Sequence, residues 1–244
     1  MSLQAFTSNS KTILSVDFNR AGTCYQICDY CYVSNTERIY PAYAGKIKKN
    51  DNWAKLKPYS FAKQLNEEYK KLRKSKAVAY QRVDKLPVRI YGSGDFIPEH
   101  REFLRKLDFK FYIISKNLTE TRMLHYINEL HEYKNLTKII LSLDDQNIGN
   151  YENIKQYYKS DKFGISYTGL ADNFNSWKND KGLNFTIFFN ISTKKIERAK
   201  SKLITEQCPC DSGALAHNKS CSYCNKCWRS SITKDRAWNM ITPN

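Results

Sequence analysis

The sequence predicts an α/β fold built on a parallel sheet, and three observations carry that expectation. Short β-prone runs alternate with helical patterns six times. Polar or glycine-containing clusters stand at the carboxyl ends of these runs, and the apolar stretches suit core elements but are too short for a membrane span. Strands alternating with helices are joined by right-handed crossovers into a parallel sheet, either open and doubly wound or curved into a partial barrel. Both arrangements collect chemistry at the carboxyl ends of the strands.

The elements follow in order. Ile13 to Phe18 reads as the first strand and leads through Asn19-Arg20-Ala21-Gly22 into a cysteine loop. Tyr32 to Lys57 is polar, with Pro41, Gly45 and a basic cluster, and reads as a long excursion, able to cover the site or bind something, whose shape the sequence leaves open. Ser60 is placed to cap a helix with Phe61, Leu65, Tyr69 and Leu72 on one face. Pro87 to Tyr91 is a strand running into Gly92-Ser93-Gly94-Asp95, and Pro98 opens a helix with Phe103, Leu104 and Leu107 inward.

The alternation continues with a strand from Lys110 to Ile114 that ends at Ser115-Lys116-Asn117. A helix from Thr119 to Glu132 follows, with Met123, Leu124, Ile127 and Leu130 on its apolar side. Lys138 to Leu143 is a strand ending at Asp144-Asp145, followed by a helical pattern through Tyr151, Ile154, Tyr157 and Tyr158. Phe163 to Tyr167 and Asn184 to Asn190 are the last strands, paired with helices at Asp172 to Asn179 and Thr193 to Leu203. Domain organisation follows: a core over 1–204 and a cysteine-rich, metal-binding appendage over 205–244.

Composition narrows the classes. A chain of 244 residues, 41% hydrophobic and 14% aromatic, can bury a substantial core and is not of disordered type. Met1 to Lys11 lacks an apolar signal region, so a soluble, cytoplasmic protein without membrane partners is expected. Eight cysteines in such a setting favour metal over disulfides, and they fall into an N-terminal and a C-terminal group. The net charge of +16 favours a polyanionic partner, nucleic acid before others, against the plainer reading of a solvated basic surface.

The N-terminal group, Cys24, Cys28 and Cys31, has C-x3-C-x2-C spacing. Three thiolates on one loop leave a metal centre one ligand short, whereas structural zinc wants four; soft thiolates also suit iron–sulfur clusters. A zinc knuckle completed by a distant cysteine is the alternative. In the C-terminal group, Cys208-Pro209-Cys210 precedes a C-x2-C-x2-C run at Cys221, Cys224 and Cys227, the ferredoxin elements in swapped order. Cys208, Cys221, Cys224 and Cys227 are expected to hold a second [4Fe-4S] cluster or zinc, with Cys210 a possible substitute for Cys208.

With Tyr30 at its aromatic position, the first motif resembles the cluster loop of the radical S-adenosylmethionine (SAM) enzymes. The resemblance implies a partial (β/α)6 TIM-like barrel. It also implies a [4Fe-4S] cluster on Cys24, Cys28 and Cys31 whose open iron chelates SAM, and an external electron donor such as flavodoxin or ferredoxin. Gly92-Ser93-Gly94-Asp95 is similar to the family's glycine-rich turn, which implies that Asp95 meets the SAM amino group, and Tyr30 is expected beside the adenine or cluster. Ser115, Lys116, Ser142 and Asp144 would then line the SAM site; the alternative is ordinary turn chemistry. Nothing singles out a catalytic acid or base.

Ser-Gly-Asp-Phe after one strand, Ser-Lys after the next, and a terminal C-P followed by C-x2-C-x2-C-W also resemble the phage-encoded gene product eighty-eight family. That resemblance implies a viral origin, hence the host cytoplasm, and assigns no substrate. Two rivals to a radical SAM enzyme are carried forward. One is a non-enzymatic zinc-stabilised nucleic-acid-binding protein; the other is a two-cluster electron-transfer protein.

Overall fold

The computed structural model describes residues 6–9, 12–25, 40–74, 87–144, 146–159, 162–170, 184–189 and 239–243. They form a mixed α/β structure on one sheet whose strands stand in chain order. Strands β1 (Phe6–Asn9) and β2 (Thr12–Val16) make an antiparallel hairpin. From β2 onward every neighbour is parallel: β3 (Val88–Ile90), β4 (Phe111–Ser115), β5 (Leu136–Leu143), β6 (Phe163–Leu170), β7 (Asn184–Phe189) and β8 (Asn239–Pro243). The parallel strands from β2 to β7 match the sequence expectation. β1 and β8 were not foreseen, and β8 extends the sheet from within the appended segment.

The helices are α1 (Arg20–Thr23), α2 (Pro41–Leu56), α3 (Pro58–Arg73), α4 (Arg101–Arg105), α5 (His125–His131) and α6 (Tyr151–Lys155). α2 supplies the shape that the sequence left open within Tyr32 to Lys57. Pro41 starts it at the position where a missing N–H costs nothing, but its buried positions are Ile47, Asn50, Asp51 and Ala54. Two of those four are polar, so the inward stripe carries little hydrophobic periodicity. Thr119 to Glu132 also differs from expectation: 3-10 turns at Asn117–Thr119 and Thr121–Met123 precede the shorter α5. The helices expected at 172–179 and 193–203 lie outside the described residues.

The two faces of the sheet have different chemistry. One face sends Leu14, Val16, Val88, Ile90, Phe111, Ile113, Ile139, Leu141 and Ile165 into a continuous core with Phe61 and Leu65 of α3. Phe103 and Leu104 of α4, Ile127 and Leu130 of α5 and Ile154 of α6 belong to the same core. The opposite face has a small separate cluster of Tyr112, Ile140 and Ile114. Between these lie polar positions of the same parity: Ser15 pairs in register with Arg89, Arg89 with Tyr112, and Tyr112 with Lys138.

Phe18 sits at the junction of the core and the strand ends. Its ring centroid lies 4.6 Å from His100, 5.3 Å from Tyr91, 5.7 Å from Phe103 and 6.1 Å from Phe61. Tyr91 has φ of 69°, a left-handed conformation unfavourable for a bulky residue. Its ring is buried against Phe18 and His100, and its hydroxyl is 3.1 Å from His100 Nδ1, contacts that offset the backbone cost. Among the described residues, no helix is long and apolar enough to cross a membrane.

Phe103 is fully buried and stacks edge-on against Phe61 at 5.2 Å. Phe103→Ala should therefore lower unfolding free energy by about 3–5 kcal/mol, read from the midpoint of a urea titration. Glu67→Ala on the exposed side of α3 should stay within about 0.5 kcal/mol of the parent.

Candidate functional site

The loops at the carboxyl ends of β2, β3, β4 and β5 converge through buried polar side chains. After β2, Asn19 caps α1 by accepting from the Ala21 amide at 3.1 Å, and α1 closes when the Cys24 amide donates to the Arg20 carbonyl at 2.8 Å. Cys24 is half-buried directly after this single turn.

The peptide groups on either side of Cys24 are held by one residue from a distant strand end. Asn117, after β4, donates from Nδ2 to the Thr23 carbonyl at 2.7 Å and accepts at Oδ1 from the Tyr25 amide at 3.2 Å. The same Nδ2 reaches the Phe96 carbonyl at 2.8 Å. Asn117 therefore joins the cysteine loop, the turn after β3 and its own turn in one contact. Nearby, the Arg122 guanidinium lies 4.9 Å from the centroid of the exposed Tyr25 ring.

Gly92, Ser93, Gly94 and Asp95 pack against the cysteine loop. The Asp95 amide donates to Thr23 Oγ1 at 3.0 Å, the Ser93 amide to Asp17 Oδ1 at 3.1 Å, and Ser93 Oγ to the Phe18 carbonyl at 3.0 Å. Gly94 has φ of +75°, and a Cβ on it would lie 2.6 Å from Thr23 Oγ1 and 2.9 Å from Phe18 Cβ. A Cβ on Gly92 would lie 2.0 Å from Asp17 Oδ1. Both glycines are thus required by close approach of the chain to itself.

The Asp95 carboxylate is buried. Oδ1 accepts from the Phe96 amide at 2.6 Å, and Oδ2 from the Lys116 and Asn117 amides at 2.9 and 3.1 Å. Burial pushes this carboxyl up to about 6, against hydrogen bonds from the Ser115 hydroxyl and those three amides that hold it down. The carboxylate that was expected at the SAM amino group ties the β3 turn to the β4 turn in this arrangement.

Ser142 and Asp144 lie at the end of β5. Asp144 pairs with Lys116 in a buried ion pair, and its Oδ1 accepts from the Gln146 amide at 3.0 Å. Asn147 completes the connection, donating to Thr119 Oγ1 at 2.9 Å and to the Ser142 carbonyl at 3.2 Å. Ser115 accepts from the Leu118 amide at 3.0 Å.

Helix α2 closes the side of the site. Tyr43 donates to Ser93 Oγ at 2.8 Å, Asn50 to the Asp17 carbonyl at 2.9 Å, and Lys55 to the Gly22 carbonyl at 2.9 Å. Beneath it, Lys55 pairs with Asp51, and His100 Nε2 is 3.7 Å from Asp51 Oδ1. Burial holds His100 below its usual range.

Cys24, Gly92, Ser93, Gly94, Asp95, Ser115, Ser142 and Asp144 thus gather at one end of the sheet. Tyr30, Cys28, Cys31, Cys208, Cys210, Cys221, Cys224 and Cys227 lie outside the described residues. Among the described residues no three His, Cys, Asp or Glu side chains converge as a metal site. Sequence reasoning missed Asp17, Thr23, Asn50 and Asn147 as members of the network and gave Asn117 no role. Asn117 and Asn147 had a usable signal, an amide side chain in the turn directly after a strand.

Residues 9–230 match the model of the phage family described as Gene product 88, and the chain belongs to that family. No curated protein and no solved structure matches the chain.

Two outcomes test this geometry. The folded state binds the Asp95 proton more tightly than the unfolded state, so stability falls as pH rises from about 4 through about 6. The fall is about 3 kcal/mol; Asp95→Asn should flatten that limb in urea titrations across this window. Asn117→Ala removes all of its amide contacts and should cost about 2–3 kcal/mol. Peptide-resolved alkylation should then find Cys24 reacting faster than in the parent.

Proposed function

We propose that this Gene product 88 family member is a radical SAM enzyme, with a SAM-chelated [4Fe-4S] cluster held by Cys24, Cys28 and Cys31. The observation that carries the reading is the position of Cys24. It opens the C-x3-C-x2-C motif at the carboxyl end of the first parallel strand, with both flanking peptide groups clamped by Asn117.

The donor set fits the group. Three soft thiolates on one loop suit an iron–sulfur cluster with an open iron, and Cys24 is half-buried directly after α1 rather than in the core. The sequential strand order, with helices α3 to α6 on one face, supports a partial (β/α) barrel whose other face lines the reaction space. On that other face Ser15, Arg89, Tyr112, Lys138 and Ser142 supply polar contacts, which favours a polar or charged substrate. With the net charge of +16, nucleic acid or nucleotide is the first substrate class.

The chemistry such a group supplies when bound is reductive cleavage of the SAM sulfonium to a 5′-deoxyadenosyl radical, with the electron coming from an external donor such as flavodoxin or ferredoxin. The chain's own residues orient and enclose. Asn117 fixes the chain on either side of Cys24, the Ser93-Gly94-Asp95 turn packs against Thr23, and the Lys116–Asp144 pair joins the turns after β4 and β5. Cys208, Cys221, Cys224 and Cys227, with Cys210 in reserve, would hold a second cluster or zinc.

Anaerobic reconstitution with iron and sulfide should give brown protein that forms 5′-deoxyadenosine from SAM on reduction, and Cys28→Ala should lose that activity with the N-terminal iron. Colourless protein retaining zinc at both cysteine groups, with no SAM turnover, would overturn the reading in favour of a zinc-stabilised nucleic-acid-binding protein.

A further inference from the structure

We infer that the outward face of the α2–α3 hairpin is a docking surface for single-stranded nucleic acid. From Pro41 to Lys74 the chain carries nine lysines and one arginine against three acids. The two helices sort these charges. Lys46 and Lys55 turn inward, to the Phe6 and Gly22 carbonyls, and Asp51 is buried with Lys55. Lys48, Lys49, Lys57, Lys63, Lys71 and Lys74 are exposed, and Glu67 is the one fully exposed acid in the hairpin. Lys70 is tied to Asp108 at 2.7 Å.

A second observation points to unpaired bases rather than to a duplex. Of the four exposed large hydrophobic residues found among the described residues, three lie here: Tyr40 at 61%, Leu56 at 78% and Tyr59 at 58%. Tyr59 has Lys106 Nζ 5.7 Å from its ring centroid. Lysines that track phosphates, interleaved with aromatic rings on which bases stack, are what single strands require. An anionic membrane fits less well. Ile47, Phe61 and Leu65 are packed into the core, and the exposed Leu56 and Tyr59 stand among lysines rather than on the broad apolar face of an interfacial helix.

The surface leads to the site. The inner side of α2 contacts Ser93, Asp17 and Gly22, so a strand lying along its outer side reaches the rim of the strand ends. The inference deepens the substrate class proposed above but stands on charge and exposure, not on iron chemistry. Binding without 5′-deoxyadenosine formation, or the reverse, separates the two failures.

The test is fluorescence anisotropy of the full chain with labelled oligo-dT, the matching duplex and phosphatidylserine vesicles over a salt series. Lys48→Gln/Lys63→Gln should weaken oligo-dT binding roughly tenfold and lower the salt slope by about 1.4, with circular dichroism unchanged. The charge-matched Lys110→Gln/Lys134→Gln, exposed at the amino ends of β4 and β5, should leave binding within about twofold. Tyr59→Ala should weaken oligo-dT at least fivefold and the duplex little, from lost stacking worth about 1–3 kcal/mol per base. Equal losses in the two double variants, unchanged binding in the first, duplex preferred over oligo-dT, or binding to vesicles alone would each overturn the inference.

Discussion

The arrangement depends on a buried carboxylate accepting three backbone amides. Asp95 receives the amides of Phe96, Lys116 and Asn117, and through them the turns after β3 and β4 become one object. Taking a carboxyl group out of water is costly, and these hydrogen bonds offset only part of the cost, which is why the group is pushed up to about 6. Asn117, positioned in that way, then reaches across to both sides of Cys24. The cysteine turn is therefore held from outside itself, by a strand end far away in sequence.

The sheet separates stability from chemistry. The face that meets the helices carries Phe, Leu and Ile, including the fully buried Phe111 and Ile113, packs against Phe61 and Phe103 of the helices, and supplies the hydrophobic driving force. The opposite face sets Arg89, Tyr112 and Lys138 in one row, and in the turns beyond β4 and β5 Lys116 and Asp144 pair out of water. Buried ion pairs are weak contributors to stability, since desolvation consumes most of their attraction. A sheet face furnished in this way is better explained by orienting polar partners than by holding the fold.

How much of this was legible in the sequence depended on which residues carried each feature. β4 and β5 were readable because their apolar runs, Phe111 to Ile114 and Ile139 to Leu141, are unbroken and lead into polar turns. α3 was readable because Phe61, Leu65 and Tyr69 recur on one side. α2 was not, since it buries Asn50 and Asp51 where a pattern search looks for apolar residues. Cys24 and the Gly92 to Asp95 turn were identified from spacing and residue type. The amide clamp was hidden because partners more than ninety positions apart leave no local mark.

That separation has a bearing on how the protein is made. The bond from Asn117 to the Thr23 carbonyl spans 94 residues, and the one to the Tyr25 amide spans 92. On a ribosome, the stretch around Cys24 emerges long before its clamp exists, and closing so large a loop carries an entropic cost that only a docked β4 offsets. The thiol acquires its final orientation only after about half of the chain has been made, so a prosthetic group seated there meets a fixed turn only once the segment after β4 has emerged.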